Sequence, residues 1–303
     1  MICLSIAALL LLLVAMPAQA ADMSLSEPAQ LTLEDVTPRE QPAGAIMADP
    51  TINDRIDSLV DWLGAGLSMH KENYLLFPTW NDRADNSDDM EVKLQLSLKQ
   101  QILDSRFYVA YTQKSFWRVM DQADSRPFRE TNHNPELFFR YVAPPEKVGR
   151  FSAWGADIGA EHESNGAREP ISRSWNRLYV TPFVTWGNLR ADLKIWQRLS
   201  EEVKDDPLDP AGDENPNIED YLGNGELRLS YLFKNRYMSG SLASLRTRWS
   251  FETDRGALQL DLSRPTKSKH VYVFAHLFTG YGESLIDYNR SVTRYGVGVM
   301  FKR

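Results

Sequence analysis

Residues Glu91–Lys99 read "EVKLQLSLK". Val92, Leu94, Leu96 and Leu98 alternate with Lys93, Gln95, Ser97 and Lys99, a period of two that an extended strand turns into one apolar and one polar face. The pattern returns in "NLRADLKIWQRL" (188–199), where Leu189, Ala191, Leu193 and Ile195 share a parity, and at the end, where Val297, Val299 and Phe301 do. Twelve such segments are expected, near 72–81, 91–102, 105–117, 133–143, 151–163, 174–186, 188–199, 221–233, 236–248, 256–263, 269–281 and 291–303. Many are long for a soluble sheet and right for a tilted strand that crosses a bilayer.

The connections alternate as well. "LDS", "WGN" and "KNR" are short, whereas Asn81–Met90, Arg118–Asn132, Asn165–Arg173 and Ser200–Asp220 are long and polar. Short turns at one end and long loops at the other are the outer-membrane pattern, and Trp and Tyr near strand ends fit interfacial girdles. The expected fold is therefore all-β, a twelve-stranded antiparallel transmembrane β-barrel over residues 71–303.

Upstream, "MICLSIAALLLLLVAMPAQA" (1–20) carries a short apolar run before Ala18-Gln19-Ala20, a small-x-small site that predicts a cleaved export signal. Residues 21–70 are expected to form a periplasmic leader, poorly ordered apart from a short helix near Ile52–Leu67. Cys3 in the signal is the single cysteine of the 303 residues, so no disulfide stabilises the exported chain. A net charge of −7 without a basic stripe excludes a nucleic-acid partner.

The chemistry concentrates in "EHESNGAREPISRSWN" (161–176). Trp154, Ala156, Ile158 and Ala160 set the apolar parity of their strand, and His162 and Ser164 continue it. Leu178, Val180 and Val184 do the same for the next strand, with Asn176 in line. All three polar groups are thus expected on the lipid-facing wall near a long loop, and an antiparallel hairpin sets Asn176 across from His162. There His162 can act as general base for Ser164, and the Asn176 carbonyl can orient the imidazole. A hydrogen-bonded strand end at headgroup level is the bland alternative.

"HESNGAREPISRSWNRLY" resembles the signature of the bacterial outer membrane phospholipase A family, as do "YTQKSFW" (111–117), "RPFRETN" (126–132) and "GYGESLIDYN" (280–289). The resemblance spans about Asn73 to Phe301. It implies a twelve-stranded, calcium-dependent hydrolase of phospholipid and lysophospholipid acyl esters at both positions, active as a homodimer and inactive as a monomer. It implies catalysis by His162, Ser164 and Asn176. It implies Ca²⁺ held by the Ser172 hydroxyl, the Ala167 carbonyl and the carbonyl of Ser125 from a second subunit; at position 167 the family often carries Arg, a change that a carbonyl ligand tolerates. The oxyanion would be met by the ion and a backbone N–H of Ser164 or Gly166. Gln113 would lie at the dimer interface, facing outward with Phe107, Val109 and Tyr111.

Other features read as structural. Asp205, Asp206, Asp209, Asp213, Glu214, Glu219 and Asp220 suggest a solvated outer loop. His133, His270 and His276 lack metal spacing. The terminal "MFKR" departs from the usual aromatic end of such barrels. An inactive porin-like or structural barrel, and a soluble secreted lipase, are the competing readings; the outward polar triad argues against the first and the long lipid-parity strands against the second.

Overall fold

The computed structural model describes residues 66–82, 90–120, 128–144, 151–206, 208–209, 212–268 and 270–302. The export signal, most of the leader with its expected helix, and Ser125 lie outside them. Strands β1 (Leu67–Met69), β2 (Asn73–Asn81), β3 (Glu91–Gln101), β4 (Phe107–Trp117), β5 (Phe128–Val142), β6 (Ala153–Ser164), β7 (Ser174–Trp186) and β8 (Leu189–Leu199) are followed by a short helix, α1 (Glu219–Leu222). Strands β9 (Gly225–Leu232), β10 (Leu242–Ser250), β11 (Arg255–Pro265), β12 (Tyr272–Gly280) and β13 (Val292–Lys302) complete the chain.

From β2 on, each strand pairs antiparallel with the next, and β13 returns to β2 through Tyr295↔Trp80 and Val299↔Leu75. β1 and β2 lie along the same edge of β3, at Met69↔Leu98 and Tyr74↔Gln95. The result is a closed twelve-stranded antiparallel barrel with no free edge. Between β2 and β3 the register shifts from Leu76 to Thr79, around Pro78, which has no N–H to give to the ladder.

The barrel is inside-out. On the outer wall Ile158 is 56% exposed and Leu96 51%, whereas inward-facing Lys93 and Ser97 are at most 2% exposed. An apolar outside and a polar inside is the distribution that a lipid solvent selects. Trp154 and Trp186 mark the short-turn end, and Trp80, Trp117 and Trp249 the long-loop end, as two interfacial belts require.

The lumen is lined by ion pairs, some local and some reaching across it. Lys71 Nζ reaches Glu136 at 2.6 Å, Lys93 reaches Glu283 at 2.9 Å, and Arg294 reaches Glu91 at 2.7 Å. Glu72 pairs with Arg228 on the opposite wall, and Lys194 with Glu161 at 2.7 Å. Buried charges persist when each finds a partner.

Four boundaries differ from those expected. β5 starts at Phe128 instead of near 133, because Glu130 and Asn132 point inward and accept backbone N–H groups of Ile286 and Leu285. Residues 221–222 belong to α1. β10 starts at Leu242 instead of near 236, since Asn235 Oδ1 takes the N–H groups of Tyr237 and Met238 in a turn that lengthens the "KNR" link. At the N-terminal side, Leu67–Met69 are strand, so the barrel wall begins slightly before residue 71.

Candidate active site

The β6–β7 hairpin pairs Ala160↔Leu178, His162↔Asn176 and Ser164↔Ser174. With a period of two, these pairs sit on the outer wall, at the long-loop end. The inward residues between them lock the register. Arg177 bridges Glu161 at 3.1 Å and Glu163 at 2.9 Å, its guanidinium stacks 3.7 Å from the Trp175 ring centroid, and Trp175 Nε1 donates to Glu163 at 3.0 Å. A hairpin anchored on its dry side presents the opposite side rigidly.

On that outer side His162 Nδ1 lies 2.9 Å from Asn176 Oδ1. The amide Nδ2 of Asn176 donates to Glu201 Oε1, just beyond β8, at 2.8 Å. Neither His162 Nε2 nor the Ser164 hydroxyl hydrogen-bonds another group among the described residues. Nε2 is thus free to take a proton from the serine two residues along the same face, a contact that often tightens only when substrate is bound.

The loop after Ser164 is stapled by Asn165. Its Oδ1 accepts the N–H groups of Ala167 (3.2 Å) and Arg173 (3.0 Å), and its Nδ2 donates to the Ile171 carbonyl at 2.8 Å. Gly166 adopts φ +61°, a left-handed conformation that glycine takes without a Cβ penalty. Its N–H has no acceptor among the described residues, which leaves a backbone donor beside Ser164.

Ser172 closes the same loop and donates its hydroxyl to Glu214 Oε1 at 2.6 Å. Glu214 arrives on the segment between β8 and α1, clamped from both sides. Asn215 Oδ1 accepts the Ser174 N–H at 3.1 Å, and Arg198 holds Asp213 at 2.6 Å. Glu214 Oε2 is buried and lacks a hydrogen-bond partner. Lys204 stands close by, 3.3 Å from Glu169 and 3.8 Å from Glu214. Glu169 is held below the usual carboxylate range by its own backbone N–H, with Lys204 adding to the effect and desolvation opposing it.

Several expectations change here. The acidic stretch is not uniformly solvated: Asp213 and Glu214 turn into the hairpin, and Glu201 reaches Asn176. Gln113 faces outward as expected, in one lateral row with Leu96, His133 and Ser164, and donates to Ser115 Oγ at 3.2 Å. His133, passed over for want of metal spacing, is the cross-strand neighbour of Ser164, and its Nδ1 lies 2.6 Å from the Tyr111 hydroxyl. Counting parity back from outward Leu137 finds it. Among the described residues no three His, Cys, Asp or Glu side chains converge on one point; the Ser172 hydroxyl, loop carbonyls and the nearby carboxylates of Glu169 and Glu214 are what this end offers a cation. Those are the hard oxygen donors that a divalent cation such as Ca²⁺ prefers.

The family model for phospholipase A1 matches residues 60–301. The chain belongs to that family. Phospholipase A1 of Escherichia coli strain K12 is 37% identical over 253 residues, covering 77% of this chain and 81% of the relative. Its Klebsiella pneumoniae counterpart is 33% identical over 284 residues, covering 86% and 93%. The solved outer membrane phospholipase A from Escherichia coli superposes with a TM-score of 0.66 at 33% identity, over 78% of this chain and 98% of its own. The Salmonella typhi outer membrane phospholipase, solved as a dimer with bound calcium, gives a TM-score of 0.66 at 32% identity, over 79% and 93%. As a phospholipase A1 family member, the barrel resides in the outer membrane, and the chain is a lipid-hydrolysing enzyme.

Proposed function

We propose that this phospholipase is a calcium-dependent serine esterase that cleaves acyl esters of phospholipids and lysophospholipids, at both the A1 and A2 positions, and is active as a homodimer. The 2.9 Å contact between His162 and Asn176 on the lipid-facing wall is the observation that carries this reading. A polar pair on that wall is costly unless it is used, and a soluble substrate has no reason to be there.

Ser164 Oγ attacks the ester carbonyl carbon while His162 Nε2 takes its proton. Asn176 Oδ1 accepts the Nδ1–H and keeps Nε2 bare. The tetrahedral oxyanion meets the N–H of Gly166, or of Ser164 itself. The acyl group then remains on Ser164, and His162 returns the proton to the departing glycerol oxygen. Water, deprotonated by the same imidazole, releases the fatty acid. Ser172, the Ala167 carbonyl, Glu214 and the partner's Ser125 would hold calcium, which when bound polarises the ester carbonyl. With so few carboxylates the affinity is modest, so the ion and the second copy complete the site together. Gln113 lies in the outward row that leads to Ser164, and a partner amide there would satisfy it away from water.

The competing reading, an inactive porin-like barrel, is disfavoured by a lumen lined by ion pairs, some of them reaching across it. Fatty acid release from phospholipids labelled at either position, in mixed micelles with calcium or EDTA, tests the proposal. Loss of release in Ser164→Ala and in EDTA is expected. Unchanged release in the mutant removes the nucleophile, and full activity in EDTA removes the calcium role. A fully active enzyme that stays monomeric in cross-linking removes the shared site.

A further inference from the structure

An asparagine is an ambiguous partner for a catalytic histidine. Its amide presents an acceptor and a donor of nearly the same shape, and it carries no charge to balance an imidazolium. If Asn176 presented its NH₂ to the imidazole, Nδ1 would have to be the bare nitrogen, and the proton would sit on Nε2, where it blocks base catalysis at Ser164.

Glu201 removes the ambiguity. Its carboxylate can only accept, and Asn176 Nδ2 donates to Glu201 Oε1 at 2.8 Å. Oδ1 must therefore face His162, 2.9 Å from Nδ1. Since Oδ1 can only accept, Nδ1 must carry the hydrogen, and Nε2 stays free. The carboxylate also polarises the amide between them, because charge-assisted hydrogen bonds are the strong ones and linked bonds reinforce one another. Glu201 is exposed at the long-loop end, so its charge stays hydrated while one oxygen accepts from Asn176. The register brings it there: Asn176 pairs with Leu199, the last residue of β8, and Glu201 lies two residues further on, past Ser200.

We infer that Glu201 is a positioning residue for the Ser164–His162 pair, acting through Asn176, so that the relay has four members and ends in a carboxylate. This rests on the Ser-His-Asn reading above. The effect is on the chemical step and leaves lipid binding alone.

The test is a double-mutant cycle on the full chain in phospholipid mixed micelles with saturating calcium. Glu201→Ala is expected to lower kcat about tenfold at unchanged KM. Glu201→Gln, whose side-chain carbonyl still accepts from Asn176, is expected to recover part of that loss. In an Asn176→Ala background, Glu201→Ala is expected to cost nothing further. Activity of Glu201→Ala within twofold of the parent overturns the inference, and so does an equal loss with and without Asn176. A Ser164→Ala enzyme that still releases fatty acid overturns instead the reading on which it rests.

Discussion

His162 and Asn176 face each other across the β6–β7 ladder, and a hydrogen bond of 2.9 Å joins imidazole to amide on the outside of the barrel. Replacing Asn176 with Ala removes the acceptor and lets the ring turn. A loss of about 10–100-fold in kcat is expected, as for other side chains that orient a working group. Asn176→Asp is the more telling change. It keeps an acceptor for His162 but sets a second carboxylate against Glu201, so Asn176→Asp/Glu201→Gln should be more active than Asn176→Asp alone. Initial rates on one phospholipid in mixed micelles decide it; equal rates for the two variants contradict the contact.

On the proposed calcium site, the ion and Lys204 compete for the same oxygens. The ammonium stands 3.8 Å from Glu214 and 3.3 Å from Glu169, so an incoming cation must displace it or share with it. Lys204→Met is expected to lower the calcium concentration for half-maximal activity by about tenfold, and Glu214→Gln to raise it by at least as much; tenfold corresponds to about 1.4 kcal/mol, within reach of one charge contact at this distance. Terbium luminescence gives the binding constant without turnover. A Lys204→Met protein that binds terbium no more tightly than the parent removes the competition.

Acid should weaken the barrel through Glu283. This residue, in the β12–β13 loop, is paired with Lys93 at 2.9 Å and Arg294 at 2.8 Å. Burial alone pushes its carboxyl pKa up, but Lys93 and Arg294 together hold it well below the usual value. A folded-state pKa below the unfolded one means stability that is complete above about pH 4.3 and is lost as the pH falls toward the folded value. Glu283→Gln leaves two buried cations short of a partner and is expected to cost about 3–5 kcal/mol near neutrality, with the gap to the parent closing below about pH 4. Urea unfolding followed by tryptophan fluorescence at the two pH values checks it; a gap independent of pH does not fit.

Ile158 probes the lipid face. It is 56% exposed on the outer wall and pairs with Phe139 and Val180. Ile158→Lys should destabilise the barrel in bilayers by about 2–4 kcal/mol if the site lies near the midplane. Folding into vesicles, compared with Ile158→Leu, measures this. A lysine tolerated as well as leucine places this strand elsewhere in the membrane.

Most of the barrel was legible because lipid outside and charge inside impose a period of two on every strand. Val92, Leu94, Leu96 and Leu98 announce a wall, and the same counting carries His162, Ser164 and Asn176 to its outer side. Counting fails where polarity is inward. Glu130 and Asn132 look like loop residues until the 285–286 backbone is seen to need their oxygens. It fails also in loops, where no period constrains direction. Nothing in "LSEEVKDD" separates Glu201, which touches Asn176, from Asp205, which is exposed. Glu214 is likewise set apart only by the neighbours that clamp it, Asn215 on the hairpin and Asp213 on Arg198. His133 was within reach of parity and was missed by looking for metal spacing instead.

The packed interior has a consequence for the cell that carries it. An ion pair that reaches across the cylinder, as Glu72 with Arg228 does, narrows the path through it. On the proposed mechanism, catalysis and the charged interior lie on opposite sides of the same wall. A substitution that loosens Lys93, Glu283 or Arg294 should widen that path before it touches the hydrolysis outside.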